Sequence, residues 1–151
     1  MLQLNFLEEL LKKCKEEGLH TAVDTAGNIP FEHFERVMPY TDLFLYDVKC
    51  LSEDLHKEGT GVSNKRILEN LEKLSETFKG DIIVRIPVIL GYNETELEEI
   101  AEFLKPLNIK EVELLPYHKM GEHKYDALNM DCETFAVPDN TKMEEYKKLF
   151  K

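Results

Sequence analysis

Two residues of opposite charge, Asp47 and Lys49, stand two apart at the end of an apolar run, Leu43-Phe-Leu-Tyr46. Residues two apart on a strand share a face, so this carboxylate and this ammonium would point into one space. Three further segments end or break on polar groups. His20-Thr-Ala-Val-Asp24-Thr25 closes on an acid and a hydroxyl, Arg85 interrupts the apolar Val84 and Ile86, and His118 follows Leu114-Leu-Pro-Tyr117. Burying any of these unpaired would cost several kcal/mol. Gathered together they suit an anionic, hydroxylated small molecule: Lys49 and Arg85 for a carboxylate, Asp47 for hydroxyl groups. Asp24 and Asp47, with a backbone carbonyl nearby, could hold a hard cation through oxygen. Each residue also has a plainer reading. Asp24 could cap the turn at Gly27, Arg85 could pair with Glu113, His118 could simply begin a loop, and Asp47–Lys49 could be a rim ion pair of little worth.

The elements that would carry these groups follow from periodicity. Leu43 to Tyr46 is apolar on both faces, which reads as a strand covered on both sides, as in a parallel sheet. Strands are also expected at His20–Thr25, Asp81–Leu90 and Lys110–Tyr117. Between them lie helical patterns. Leu4, Leu7, Leu10, Leu11 and Cys14 mark a first helix stopped by Gly18, and Pro30 opens a second at its first helical position. Ser52–Glu58 is a short helix broken by Gly59-Thr-Gly61. Ser63 or Asn64 caps a longer one with Ile67, Leu71, Leu74 and Phe78 inward. Asn93 and Glu96 form a capping box for the next. Residues 118–139 show no clear period, and Thr141 with Glu144 caps a last helix. One helix followed by four βα units predicts a parallel sheet with right-handed crossovers. The fold class expected is α/β, in a single domain over residues 1–151. Strand carboxyl ends are where such sheets and barrels keep their chemistry.

Composition narrows the partners. A net charge of −11 argues against nucleic acid and against an anionic membrane, both of which need a basic surface. No apolar run reaches membrane-spanning length, and the amphipathic start does not read as a signal peptide. Three cysteines, Cys14, Cys50 and Cys132, lie far apart without a CxxC, which suits a reducing cytoplasm.

Four segments carry a family resemblance: Cys14-Lys-Glu-Glu-Gly-Leu-His-Thr-Ala-Val-Asp24-Thr25, Thr41-Asp-Leu-Phe-Leu-Tyr-Asp47-Val-Lys49, His56 to Asn64 with its Gly-Val-Ser-Asn, and Glu113-Leu-Leu-Pro-Tyr-His118-Lys-Met-Gly-Glu-His123-Lys124. Together they resemble the activating enzymes of glycyl radical enzymes, such as pyruvate formate-lyase activating enzyme, within the radical S-adenosylmethionine superfamily. The resemblance runs from about Leu7 to Asn129. It implies a partial six-unit βα barrel, S-adenosylmethionine bound on a 4Fe-4S cluster, and hydrogen abstraction from a glycine of a partner enzyme. It also implies an electron donor such as flavodoxin or ferredoxin. By the same resemblance, Asp47, Val48, Lys49 and His118 match segments that contact S-adenosylmethionine, and Arg85 matches a strand arginine near the same pocket. Asp24, Thr25, the carbonyl of Leu45 and Asp47 match a monovalent-cation site.

The family's CxxxCxxC loop and its Gly-Gly-Glu-Pro segment are absent, and Met1-Leu2-Gln3 looks like the point just after the latter. The chain therefore resembles the last four of six barrel units, a truncated domain inactive by itself. Three thiolates near one another are required for a cluster with an open iron, and only Cys50 is expected near the rim. At the turn Ala26-Gly27-Asn28-Ile29-Pro30 the chain looks more like the branch with an inserted ferredoxin-like domain, whose partners are other glycyl radical enzymes. Removal of two strands should leave the first remaining one as an open edge, prone to self-association. Two other functions compete: a non-catalytic partner-binding module, and a small aldolase-like enzyme using Lys49 as a Schiff base. Against the second, a lysine beside Asp47 should be held charged.

Overall fold

The computed structural model describes residues 1–131 and 134–151, with the side chains of Glu122, His123 and Asp126 also outside that description. Four parallel strands lie in one sheet in the order β1 (Ala22–Thr25), β2 (Leu43–Asp47), β3 (Asp81–Val88), β4 (Glu111–Pro116). Helix α1 (Leu4–Glu16) precedes them. Helix α2 (Phe31–Val37) links β1 to β2, α3 (Glu53–Thr60) and α4 (Lys65–Thr77) link β2 to β3, and α5 (Leu97–Leu104) links β3 to β4. Beyond β4 come α6 (Glu122–Ala127) and α7 (Asn140–Lys147). Consecutive strands pair side by side, so all four carboxyl ends share one rim.

The core lies on one side of this sheet. Phe44, Tyr46, Val48, Ile82, Val84, Ile86, Val88 and Leu114 are buried with Phe34, Ile67, Leu71, Leu74, Ile100 and Met143 from the helices. Phe34 meets the rings of Phe44 and Tyr46 at 5.5 Å and 6.1 Å between centroids, and Phe44 meets Phe78 at 4.8 Å. The other side holds Asp24, Leu43, Leu45, Asp47, Ile83, Arg85, Glu111, Glu113 and Leu115, none of which is buried. The expectation that β2 is covered on both faces is therefore corrected. Its residues alternate between half-buried and buried, because the helices occupy one side and the opposite side stays open. This is the layering of a partial barrel, with helices on one side of the sheet and an open face on the other.

Local details refine the reading of the sequence. The strands at His20–Thr25 and Lys110–Tyr117 are shorter than expected, and Pro30 sits just before α2 rather than inside it. Gly18 does end α1, at φ 71°, with Leu19 N–H returning to Cys14 C=O at 2.9 Å. Of the α1 apolar stripe only Leu11 is buried, while Leu10 is exposed, since α1 packs against α2 and the turn Met38–Tyr40 rather than on the sheet. The cap of α7 is Asp139, which accepts Lys142 N–H at 2.8 Å. Thr141 lies inside the helix and Glu144 pairs with Lys147 at 2.7 Å. The segment without period contains α6 and the tight turn Lys119–Gly121.

Candidate functional site

The β1 exit is built around Gly27. Its φ of 73° is left-handed, and a Cβ there would fall 1.8 Å from the Tyr46 hydroxyl oxygen. That hydroxyl is buried and donates to Ile67 C=O at 2.7 Å. Burial also pushes the phenol well above its ordinary range. Gly27 thus lets the chain turn sharply beyond Asp24 and Thr25. The plainer reading of Asp24 as the turn's cap is not what forms: Thr25 Oγ1 accepts Gly27 N–H at 3.0 Å.

Asp24 instead faces Arg85. The guanidinium Nη2 donates to Asp24 Oδ1 at 2.5 Å and to Asp47 Oδ1 at 2.7 Å, while Nε donates to the same Asp47 oxygen at 3.0 Å. Asp47 and Arg85 are register partners across β2 and β3, so their side chains leave the same face side by side. Glu113 is Arg85's partner on β4 in the ladder, but the ion pairs go to the two aspartates. Lys49 Nζ lies 3.6 Å from the second Asp47 oxygen, Oδ2. One carboxylate thus stands between two cations at the carboxyl rim, on the open side of the sheet. The Arg85 side chain is 19% exposed and that of Asp47 26%, against 60% for Asp24. The Asp47 pair is the drier of the two and Asp24 meets water.

The other expected site residues divide. Leu45 lies half-buried on the open face below Asp47, and Val48 is buried on the opposite face with its N–H on Arg85 C=O at 3.0 Å. His118 is two residues past β4 on the same rim, exposed, and among the described residues makes no hydrogen bond or ion pair with the cluster. Cys50 is buried rather than open to the rim, and burial pushes its thiol up to about 11. Cys132 lies outside the described residues. Among those described, no three His, Cys, Asp or Glu side chains gather as a metal site. Cys14 on α1 and the buried, protonated Cys50 do not make the thiolate set of an iron–sulfur cluster. The carboxylates that would flank a monovalent cation are occupied by the Arg85 guanidinium.

Sequence reasoning missed Asn70 and misassigned Asn64 and Asn93, three asparagines that shape the rim. Asn70 Nδ2 donates to Gly27 C=O and Ile29 C=O, both at 2.8 Å. Asn64 Nδ2 donates to Cys50 C=O at 3.0 Å and Leu51 C=O at 2.7 Å. Asn93 Nδ2 donates to Lys49 C=O at 2.6 Å and Pro87 C=O at 2.7 Å. All three are buried. Of the caps expected at Ser63 or Asn64 and at Asn93, neither asparagine side chain caps its helix, while Ser63 Oγ accepts Lys65 N–H at 3.2 Å at the start of α4. Glu96, expected in a capping box, reaches Leu51 N–H at 2.7 Å and Ser52 N–H at 3.2 Å instead. One signal was legible, Asn70 lying within the apolar stripe of Ile67, Leu71 and Leu74.

A parallel sheet with its helices on one side, and charged groups at the carboxyl rim of the other, is the arrangement of a radical SAM barrel. The sequence profile of the radical SAM superfamily matches residues 1–104, and the chain belongs to that superfamily. It is 44% identical over 97% of its length to the trans-4-hydroxy-L-proline dehydratase activating enzyme of Clostridioides difficile, covering 50% of that relative. It is 37% identical over 99% of its length to the 4-hydroxyphenylacetate decarboxylase activating enzyme of Clostridioides difficile (strain 630), covering 49% of it. A crystallised domain of pyruvate-formate lyase-activating enzyme from Bacteroides vulgatus ATCC 8482 superposes with a TM-score of 0.81 at 28% identity, over 99% of this chain and 86% of that one. The expected resemblance to glycyl radical enzyme activating enzymes is thus found in both sequence and fold. The chain spans about half the length of the curated relatives it matches. No helix among the described residues is long and apolar enough to cross a membrane.

Proposed function

We propose that this chain is the cofactor-facing part of a glycyl radical enzyme activating enzyme, inactive without the cluster-bearing part of the barrel. The observation that carries the reading is the Lys49–Asp47–Arg85–Asp24 chain of charges on the open side of the rim. The donor set fits S-adenosylmethionine. Lys49 and Arg85 offer cations to its carboxylate, Asp47 offers acceptors to its ribose hydroxyls, Val48 fixes the strand between them, and His118 stands free to turn inward. Bound there, S-adenosylmethionine would supply the deoxyadenosyl radical that takes hydrogen from a glycine of the partner. The residues present do not fit a 4Fe-4S cluster, so the protein's own contribution here is binding and orientation. A monovalent cation held by Asp24, Thr25, the Leu45 carbonyl and Asp47 would require the Arg85 guanidinium to withdraw. The partner is a glycyl radical enzyme and the electron donor a flavodoxin or ferredoxin, in a cytoplasmic setting.

The test is S-adenosylmethionine cleavage by the complete reading frame, loaded with iron and sulfide under reductant. Methionine and 5′-deoxyadenosine should form, and Lys49→Ala or Asp47→Asn should raise KM for S-adenosylmethionine. An upstream sequence without CxxxCxxC would defeat the proposal. A Schiff-base role for Lys49 finds no support in its surroundings: it is 36% exposed and ion-paired, lacking the dry apolar wall that chemistry uses.

A further inference from the structure

The last backbone bond between β2 and β3 on the rim side is Val48 N–H to Arg85 C=O. Past it the strand ladder ends, yet the chain must still present Lys49. Up to Ser52 C=O, which accepts His56 N–H at 3.0 Å as α3 begins, the backbone bonds of residues 49–52 among the described residues go to side chains. Asn93 takes Lys49 C=O, Asn64 takes Cys50 C=O and Leu51 C=O, and Glu96 takes the N–H groups of Leu51 and Ser52. Asn93 is fully buried and its amide is spent on both sides: Nδ2 on Lys49 and Pro87, Oδ1 on Ile89 N–H at 2.9 Å. A single amide therefore fixes the spacing between the β2 exit, which bears Asp47 and Lys49, and the β3 exit beyond Arg85.

We infer that Asn93 and Glu96 are positioning residues of the S-adenosylmethionine site: they set where Lys49 stands relative to Asp47 and Arg85 without touching the cofactor. The inference rests on the reading given under the proposed function. Its physical basis is that a bound group is held well only when the residues contacting it are themselves locked from behind. Glu96 acts through an acceptor, since both its partners are N–H donors. Asn93 acts through a donor, since both Nδ2 partners are carbonyls. The two make opposite demands on a conservative replacement: Glu96→Gln keeps an acceptor oxygen, whereas Asn93→Asp loses the donor.

Two measurements test this on separate footings. Hydrogen exchange on this chain should show Leu51 and Ser52 amides protected in the wild type and in Glu96→Gln, and released in Glu96→Leu. In the complete, cluster-loaded protein, S-adenosylmethionine affinity should fall about tenfold or more in Glu96→Leu and Asn93→Asp, and stay near wild type in Glu96→Gln at equal iron content. Unprotected Leu51 and Ser52 amides in the wild type would overturn the bracket whatever the protein binds. Lost protection with unchanged affinity would overturn the positioning role and leave a purely structural one. A wild type that binds no S-adenosylmethionine would overturn the functional reading, and the positioning role with it, while exchange still decides whether the bracket exists. A variant that fails to fold would be recognised by far-UV circular dichroism, and the Glu96→Gln and Glu96→Leu pair, at a half-buried position, then carries the comparison.

Discussion

Asp47 and Arg85 face each other as register partners on adjacent parallel strands, and the guanidinium touches one Asp47 oxygen through both Nε and Nη2. Lys49 is left with the other oxygen, at 3.6 Å. The carboxylate is thus a hinge between two cations that differ in reach, one rigid and one flexible. Arg85→Leu leaves Asp47 and Asp24 without their shared partner. A loss of about 1–2 kcal/mol is expected in urea unfolding, since the pair is only partly screened from water. Asp24→Asn, at the wetter end, should cost less than about 0.5 kcal/mol.

Gly27 and Tyr46 share one volume. Gly27→Ala should destabilise by about 2–4 kcal/mol, summing a left-handed backbone and an overpacked contact. Tyr46→Phe removes the bond to Ile67 and the clash partner's hydroxyl together. The double variant Gly27→Ala/Tyr46→Phe should therefore be less destabilised than the sum of the two, as a double-mutant cycle on thermal or urea unfolding would report.

Asp42 gives the fold an acid limb. Its carboxylate accepts from Lys15 Nζ at 2.7 Å and from Thr21 N–H at 2.8 Å, which tie α1 to the start of β1. The Lys15 ammonium first, and the Thr21 amide next, hold it down to about 2 from 3.8. A depressed carboxylate stabilises the fold above its unfolded value, and that contribution fades as the pH drops from 3.8 toward 2. Thermal melts of Asp42→Asn should run below wild type near neutrality and converge with it at the acid end.

Cys50 should resist thiol reagents. It is buried and its thiol is raised to about 11, so little thiolate exists at neutral pH. Alkylation of the native chain followed by peptide mapping should find Cys14 modified well before Cys50, with Cys50 reacting only after denaturant is added.

Among the described residues β1 is an edge strand, with β2 as its one neighbour. Sedimentation of the chain by itself should reveal self-association that rises with concentration, and Val23→Pro or a lysine at the exposed Ala22 should act on it in different ways. The proline should cost stability because Val23 is buried, whereas Ala22→Lys should reduce association and leave the fold intact.

The four strands and the helices between them were legible because each buries one periodic stripe, as Ile67, Leu71 and Leu74 do on α4. Asp47, Lys49, Arg85 and Asp24 were legible as a rim because parallel strands send their carboxyl ends one way. What stayed hidden depends on contacts between distant segments. Asn93 and Glu96 have the spacing of a local cap, and nothing near them in sequence says that their partners lie on residues 49–52. Leu45 and Leu43 look like core because apolar, and only the placement of the helix layer shows that their side of the sheet is bare. Arg85 has register partners on both sides, Asp47 and Glu113, and its pairing with two aspartates instead of Glu113 shows only in the folded sheet.

The packed half of this molecule and its reactive half do not share side chains. Phe44, Tyr46 and Val84 hold the sheet to its helices, while the residues interleaved with them point away from that packed layer. An exchange at one of those interleaved positions therefore gives up rim contacts such as those of Arg85 but leaves the helix-facing layer as it was.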